Sequence, residues 1–277
     1  MQKQLKEKIY EAVEAIKAKY VAIAFSGGVD SSLLAKVCKD LDKAVTLLTI
    51  SFYNDRDIKI ANETAKSLKL PLLSETVALD ELERGLQTVL KIIEFDRIAR
   101  LENCLCFYYV FRLASKHGIR TVVSANGTDE LFCGYNKYKN LFGRKALDYM
   151  KTSVKLAIED KKEMNKLAKI FGIKYACPFL AESFIDFALS IPLELKIKSA
   201  DDELRKHILR SVALELGVPP AAALRPKKAF QYSSGAHKAI VKLARVNGFT
   251  RKAAKAAGFS SEMEAYIKSL KMNRRDK

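Results

Sequence analysis

Residues 26–32 read S-G-G-V-D-S-S and constrain the fold more than any other part of the chain. They follow an apolar run, residues 20–25, and precede a segment whose apolar residues recur at helical spacing. This order predicts a strand, a glycine turn and a helix start. Two adjacent glycines let a backbone come close to a bulky anion, and free N–H groups at a helix start favour negative charge. The segment therefore predicts an anion-binding turn.

Asp30 lies within this turn, where a phosphate would repel its carboxylate unless a divalent cation lay between them. A Walker loop, G-x-x-x-x-G-K-[ST], would require a lysine that is missing here. The alternative is an ordinary glycine turn capped by Ser or Asp. The order of residues resembles the signature of the PP-loop superfamily, whose members split ATP between its α- and β-phosphates. The resemblance implies that the pyrophosphate contacts come from Ser26, Gly27, Gly28, Ser31 and Ser32.

Short β-type runs at residues 20–25, 44–52, 70–77 and 120–125 alternate with helical patterns such as 57–68, with Asp57 as N-cap, and 97–116. Alternation of this kind predicts an α/β fold with a doubly wound, mostly parallel sheet. Strand signals vanish after Tyr135, so a largely helical C-terminal part is expected. The PP-loop resemblance implies an adenine nucleotide α-hydrolase-like sheet. We divide the chain into an amphipathic helix (1–19), a nucleotide-binding core (20–135) and a mostly helical remainder (136–277) that completes the site.

The chain has 277 residues, 49% of them apolar, which is enough to bury a large core. No apolar run approaches the roughly 20 residues that a bilayer span needs, so no membrane association is expected. The charged N-terminal helix does not have the pattern of a signal peptide, and we expect a cytoplasmic protein. The five scattered cysteines contain no C-x-x-C pair and are predicted to fill the core as free thiols.

The formal net charge is +17, and residues 196–277 carry 19 Lys and Arg against seven Asp and Glu. A basic C-terminal part is compatible with RNA, with polyanionic ATP or with a solvated surface. Residues 250–259, T-R-K-A-A-K-A-A-G-F, weakly resemble a helix-turn-helix, but Ala/Lys-rich helices joined at glycine produce the same pattern. RNA is therefore a possible partner that the sequence does not favour.

Four further stretches, in order, resemble the synthetase domain of the asparagine synthetase family. Residues 126–135, N-G-T-D-E-L-F-C-G-Y, are similar to its second signature, roughly G-E-G-x-D-E-[LV]-F-G-G-Y. Pro178-Phe179-Leu180 is similar to its P-F-L-D segment. K-H-I-L-R at 206–210 and R-P-K-K-A-F at 225–230 are similar to its closing elements. The resemblance extends from about residue 20 to about residue 235.

This resemblance implies an enzyme that adenylylates a carboxylate (aspartate or a similar acid), releases pyrophosphate and lets ammonia or an amine displace AMP. Mg²⁺ would be held by Asp30 and Asp129, and Lys227 would lie beside the α-phosphate. Asp160 matches an acidic position of the family. The remaining implied ATP contacts are Gly127 and, for adenine, the backbone near Ile50 and Ser124. Taken singly, Asp129 could instead be a helix N-cap, Asp160 a solvated helix residue and Lys227 surface charge.

The sequence departs from the family pattern at three points. No cysteine precedes Cys38 to serve as a glutaminase nucleophile, so nitrogen is expected from free ammonia or from a separate glutaminase subunit. Asn126 stands where the family has a glutamate held to serve amide formation, and Asn cannot act as a base. Ala181 replaces the Asp of P-F-L-D. Two alternatives stay open: a tRNA-modifying PP-loop enzyme, and a nucleotide-binding scaffold that has lost the second half-reaction.

Overall fold

The computed structural model describes residues 1–52, 56–226 and 234–272, with residues 56 and 57 described by their backbone alone. Its strands are β1 Tyr20–Ala24, β2 Ala44–Ser51, β3 Leu72–Thr76, β4 Thr121–Val123 and β5 Lys174–Ala176. Its α-helices are α1 Gln2–Glu14, α2 Val29–Asp40, α3 Arg56–Leu68, α4 Leu79–Ile92, α5 Ile98–Lys116, α6 Thr128–Leu131, α7 Gly143–Ile170, α8 Glu182–Ser190, α9 His207–Glu215, α10 Pro220–Ala223, α11 Ala236–Val246, α12 Arg251–Ala256 and α13 Glu262–Met272. Short 3₁₀ turns occupy Asn136–Asn140, Pro178–Leu180 and Leu193–Leu195.

The five strands form one parallel sheet in the order β3-β2-β1-β4-β5. The chain moves outward from β1 through β2 to β3, then returns to the other side of β1 as β4. Strand order therefore reverses between β1 and β4, where Ile23 pairs with Val123. Ligands of doubly wound sheets bind beyond the carboxyl ends of strands at such a point. The predicted α/β class is confirmed, and the loops after β1 and β4 share one crevice.

The largely helical C-terminal part is confirmed, but it also contains β5, which no strand signal predicted and which completes the sheet beside β4. This strand has only three residues, of which Tyr175 alone is buried. A strand so short cannot show the alternation of apolar and polar residues on which strand prediction depends. The first four strands match the predicted runs to within two residues at each end.

Helix α1 buries Leu5, Ile9 and Val13 completely, which confirms the amphipathic prediction. The helix ends at Glu14, and the residues that follow lead into the sheet, where Lys19 O accepts a hydrogen bond from Ala44 N. The N-cap prediction for Asp57 is wrong, since α3 begins at Arg56 and places residue 57 in its first turn. Helix ends fray, so a boundary inferred from sequence is commonly displaced by one or two residues.

Helix α5 crosses the middle of the molecule, and most of its side chains are buried. Cys104 and Cys106 lie on this helix, and all five cysteines are free and buried, as the sequence predicted. Burial raises the pKa of the Cys106 thiol to about 12, which keeps it unreactive. The apolar faces of α5 and of β1 belong to one continuous core.

The C-terminal helices pack on one another instead of presenting a recognition helix. In α13 the first-turn residues Glu262 and Met263 are 6% and 3% exposed, and Tyr266 and Ile267 are buried. A helix-turn-helix needs that first turn in the groove of the nucleic acid, so this arrangement does not support the weak resemblance at 250–259. None of the helices within the described ranges combines the length and apolar character of a membrane span.

Candidate active site

The turn after β1 is held by the neighbouring strand. Phe25 N–H donates to Leu48 O at 2.8 Å, and Thr49 Oγ1 donates to Phe25 O at 2.5 Å. Gly27 has φ +68°, a conformation that favours glycine, and a Cβ there would lie a tight 3.2 Å from the Ala61 Cα. The turn therefore delivers the start of α2 to the crevice in a fixed position.

Serine hydroxyls of this turn form a small network. Ser31 Oγ lies 3.3 Å from both Ser26 N and Ser26 Oγ, and it donates to Gly28 O at 3.3 Å. Ser26 Oγ in turn accepts from Gly28 N at 3.4 Å. These long hydrogen bonds hold hydroxyl groups at the N-terminus of a helix, where they and the backbone N–H groups can donate to an anion.

Three charged side chains converge beside this turn. Lys206 Nζ lies 2.8 Å from each carboxylate oxygen of Asp30 and 2.6 Å from Asp129 Oδ1. The lysine side chain is fully buried, whereas the two carboxylates are 18% and 19% exposed. Asp30 comes from the first turn of α2, Asp129 from the first turn of α6 and Lys206 from the residue before α9. The structure thus brings together the two acidic residues that the sequence predicted as a pair.

Gly134 makes this convergence possible. A Cβ at this position would lie 2.0 Å from Asp129 Oδ1 and 2.6 Å from Lys206 Cε, distances that no real side chain tolerates. Glycine therefore allows the backbone to pass directly behind the ion pair. The N-cap interpretation of Asp129 is wrong, because Gly127 occupies the N-cap of α6 and Asp129 lies in its first turn.

Two carboxylates and one ammonium leave this group with an excess negative charge. A triphosphate would be repelled by that charge unless it arrived with a divalent cation, which Asp30 and Asp129 could share with phosphate oxygens. Mg²⁺ commonly binds through one or two carboxylates plus substrate phosphates, so a cluster of three protein ligands is not required. The donor set therefore fits Mg²⁺.

A cavity opens between the two loops and is bounded by α5 and α7. We call the part around Ser26, Asp30, Ser31 and Asp129 the serine end. We call the part around Asn103, Asn126, Asp160 and Met164 the asparagine end. Glu130 and Tyr135 line the same cavity, and the Tyr135 hydroxyl donates to Glu130 Oε1. Burial, together with the charge of Asp129, raises the pKa of Glu130 to about 7.

At the asparagine end, Asn126 Nδ2 donates to the Tyr175 hydroxyl at 3.2 Å and lies 3.6 Å from Met164 Sδ. The Tyr175 hydroxyl is also 2.7 Å from Ser124 Oγ. This network is neutral, so the residue that replaces the family glutamate brings no base to the cavity. Ala181, the other departure, is an exposed N-cap of α8 and is not among the residues that line the cavity.

Asp160 projects from α7 into the asparagine end. Its Oδ1 accepts from Arg97 Nη2 at 2.5 Å and from Arg100 Nε at 2.7 Å, and its side chain is 16% exposed. Burial raises the pKa of Asp160, although both arginines act in the opposite direction. The interpretation of Asp160 as a solvated helix residue is therefore wrong. Its carboxylate is fixed by two guanidinium groups that lie behind the cavity wall.

The predicted site residues divide into three groups. The cavity is lined by Ser26, Asp30, Ser31, Ser124, Gly127, Asp129 and Asp160. Gly27, Gly28 and Ser32 belong to the same turn without lining it, and Ile50 is buried in β2 opposite Glu75. Lys227 lies outside the described residues, so its role stays a prediction. Sequence reasoning gave no role to Lys206, although it had noted the K-H-I-L-R segment that contains it, and none to Glu130 or Tyr135.

The Asparagine synthase family model matches residues 4–164 and 149–269. The chain belongs to the asparagine synthase family. It is 29% identical to a Methanocaldococcus jannaschii protein provisionally named asparagine synthetase [glutamine-hydrolyzing] 1, over 91% of this chain and 52% of that protein. It is 25% identical to asparagine synthetase B [glutamine-hydrolyzing] of Escherichia coli (strain K12), over 77% of this chain and 41% of that enzyme.

The chain spans about half the length of the curated relatives it matches. A solved structure, described as a predicted subunit of tRNA methyltransferase from Methanocaldococcus jannaschii, aligns over 76% of this chain and 94% of that one. The sequence identity is 20% and the TM-score 0.35, a similarity too low to bear on function.

Proposed function

We propose that the protein is an ATP-dependent amide ligase that forms AMP and pyrophosphate. A substrate carboxylate oxygen attacks the α-phosphorus of ATP, and the bond to the β-phosphate oxygen breaks, so that pyrophosphate leaves. Ammonia or an amine then attacks the acyl carbon, the bond to AMP breaks, and the nitrogen loses a proton. Family membership supports ATP use, and the convergence of Asp30, Asp129 and Lys206 beside the serine turn is the observation that carries this proposal.

In this mechanism the protein acts mainly by positioning and by electrostatic stabilisation. The hydroxyls of Ser26 and Ser31, with the N-terminus of α2, bind the phosphates that become pyrophosphate. Mg²⁺ held by Asp30 and Asp129 would neutralise the charge of that leaving group. Lys206 keeps the two carboxylates together, and Lys227 is proposed, from the sequence alone, to lie beside the α-phosphate.

The asparagine end is proposed to hold the carboxylate substrate and the nitrogen nucleophile. It includes Asn126 in place of the family glutamate, so aspartate is one candidate substrate among small carboxylic acids. Both curated relatives carry the words glutamine-hydrolyzing in their names. We propose that nitrogen reaches this site as free ammonia or from a glutamine-hydrolysing unit.

Product analysis tests the proposal. Purified protein incubated with ATP, Mg²⁺, ammonium and single amino acids in turn should release AMP and pyrophosphate with at least one of them. Release of ADP and phosphate instead would contradict the proposed chemistry. Asp30→Asn removes one of the converging carboxylates and should lower turnover by about a thousandfold, the order expected when electrostatic stabilisation of a transition state is lost. Asp40→Asn is the matched control, because Asp40 ends the same helix on the surface, bound to Lys36 and Tyr10.

A further inference from the structure

Arg210 is the buried residue that connects two parts of the helical region reaching the serine end. It lies on α9 and is 2% exposed. Its Nε donates to Arg205 O at 2.7 Å and its Nη2 to Leu204 O at 2.7 Å. Its Nη1 donates to Ala223 O at 2.5 Å and to Arg225 O at 3.0 Å. One guanidinium therefore joins residues 204–205 to residues 223–225.

Both of these segments contribute to the site. The first leads directly into Lys206, whose ammonium contacts Asp30 and Asp129. The second includes Arg225, whose Nη1 donates to Ser26 O at 3.4 Å in the anion-binding turn. A shift of either segment would move a cation away from the place where the phosphates are proposed to bind.

The first segment has a backbone that must be held in place. Arg205 and Lys206 have φ values of +49° and +55°, in the left-handed region that non-glycine residues rarely adopt. Asp202 Oδ1 accepts from the N–H groups of Leu204 and Arg205 at 3.0 and 2.9 Å. Arg210 binds the carbonyls of the same two residues, so the peptide unit between Leu204 and Arg205 is fixed at both its C=O and its N–H group just before Lys206.

The acceptors of Arg210 within the described residues are all main-chain carbonyls. Burying a guanidinium without a carboxylate partner is costly, so packing alone does not account for an arginine here. Its planar fork can bind several carbonyls at fixed angles, which a lysine cannot do. Asp30 and Asp129 are among the acidic groups whose charge acts on it.

We propose that Arg210 is a positioning residue for the nucleotide reaction, holding Lys206 and Arg225 together in register with Asp30 and the serine turn. The proposal rests on the proposed function in that ATP is the ligand whose binding it controls. The residue acts through the two segments and does not itself line the cavity.

Three variants test this role: Arg210→Met, Arg210→Lys and, as control, Lys196→Met. Lys196 is also fully buried, and its Nζ donates at 2.6 Å to Ala188 O, a carbonyl that belongs to neither segment. We expect Arg210→Met to raise KM for ATP at least tenfold and to lower kcat at least tenfold. Lys196→Met should lower the melting temperature with less than a twofold change in KM. Arg210→Lys should recover part of the melting temperature while KM stays raised, because one ammonium cannot hold both segments.

Hydrogen exchange separates this proposal from the proposed function. Amides of residues 204–206 and 223–225 should exchange faster in Arg210→Met than in Lys196→Met, whether or not the wild-type protein turns over ATP. Equal exchange in the two variants would overturn the connection. If the wild-type protein is active but Arg210→Met and Lys196→Met have equal KM values for ATP, the positioning role is wrong and the proposed function is unaffected. Full recovery of KM by Arg210→Lys would show that a positive charge is sufficient at this position. The proposal that the planar guanidinium connects the two segments would then be wrong. If Arg210→Met does not fold, Arg210→Lys decides by the same measurements.

Discussion

At the serine end of the cavity, Lys206 contacts the carboxylates of Asp30 and Asp129, whereas at the asparagine end Asn126 binds the neutral hydroxyl of Tyr175. The first arrangement draws on three distant segments and joins two partly exposed carboxylates to one buried ammonium. The second draws on the loop after β4 and on β5. Asp160 is the charged residue at the asparagine end, and its charge is balanced by Arg97 and Arg100, which lie behind the cavity wall.

This difference separates two tasks within one cavity. The serine end is suited to a highly charged ligand that is the same for the whole family. The asparagine end combines fixed amide and hydroxyl groups, and small changes there alter shape and hydrogen bonding without disturbing a cation site. If this division is correct, variants at the serine end should change the handling of ATP, and variants at the asparagine end should change only the second substrate.

The largest effect on folding stability is expected for Lys206→Met. Two carboxylates would then face each other without their common cation. We expect the free energy of unfolding to fall by about 2–4 kcal/mol. This value is lower than for a fully buried pair, because both carboxylates are partly exposed to solvent. Turnover should fall at least about a hundredfold, as for lost electrostatic groups elsewhere. Denaturation and pyrophosphate release measure the two effects.

Mg²⁺ provides the sharpest control for this variant. A divalent cation can bind between the two carboxylates that Lys206 no longer bridges, so it should raise the melting temperature of Lys206→Met more than that of the wild-type protein. Lys198→Met, at an exposed lysine nearby, should behave as wild type. Unchanged stability and turnover in Lys206→Met would show that the bridge has no role and would remove the contrast between the two ends.

A smaller effect is expected for Asp160→Asn at the other end. The amide keeps the size of the side chain but loses the charge that two guanidinium groups bind, so the cavity wall should shift slightly. We expect KM for the carboxylate substrate to rise about tenfold, since one charge-assisted contact is worth about 1.5 kcal/mol or more, while KM for ATP stays unchanged. Glu159→Gln is the matched control, because Glu159 also binds Arg100 but is 52% exposed. A rise in KM for ATP with Asp160→Asn would contradict the division of tasks.

The serine end was largely predictable because its signals are local. A strand, two glycines and a helix start lie within a dozen residues, and parallel strands bring their loops to one edge. Asp30 and Asp129 could therefore be paired from the sequence. Lys206 could not be assigned to the same group, because it follows Asp30 by 176 positions. It also reaches the site through a left-handed backbone conformation, which no periodic sequence pattern predicts.

The asparagine end shows a different limit. Tyr175 belongs to a strand of three residues that the sequence did not reveal, so the partner of Asn126 could not be foreseen. Arg97 and Arg100 were read only as part of a helical pattern, and their contact with Asp160 depends on how α5 packs against α7. Motif order singled out Asp160, which lines the cavity, but the packing of two helices determines what its carboxylate binds.

Glu130 lines the same cavity and offers the most specific measurement. Its pKa of about 7 in the folded protein exceeds the ordinary value of 4.5, because of burial and the charge of Asp129, while Lys206 and the Tyr135 hydroxyl oppose the shift. The folded protein therefore binds this proton more tightly than the unfolded chain does. The resulting stability is fully present below about pH 4.5 and is lost as the pH rises through 7.

Glu130→Gln should remove this pH dependence, because the amide cannot ionise and still accepts a hydrogen bond from Tyr135. Denaturant unfolding at about pH 5 and about pH 8 should show the wild-type protein losing up to about 3 kcal/mol relative to the variant at the higher pH. Glu215→Gln, at an exposed carboxylate on α9, controls for the general loss of a negative charge. Parallel pH profiles for wild type and Glu130→Gln would mean that Glu130 is ionised at both pH values. The negative charge of the serine end would then include Glu130. In that case only the network around Asn126 would be neutral, and the contrast between the two ends would apply to Asn126 alone.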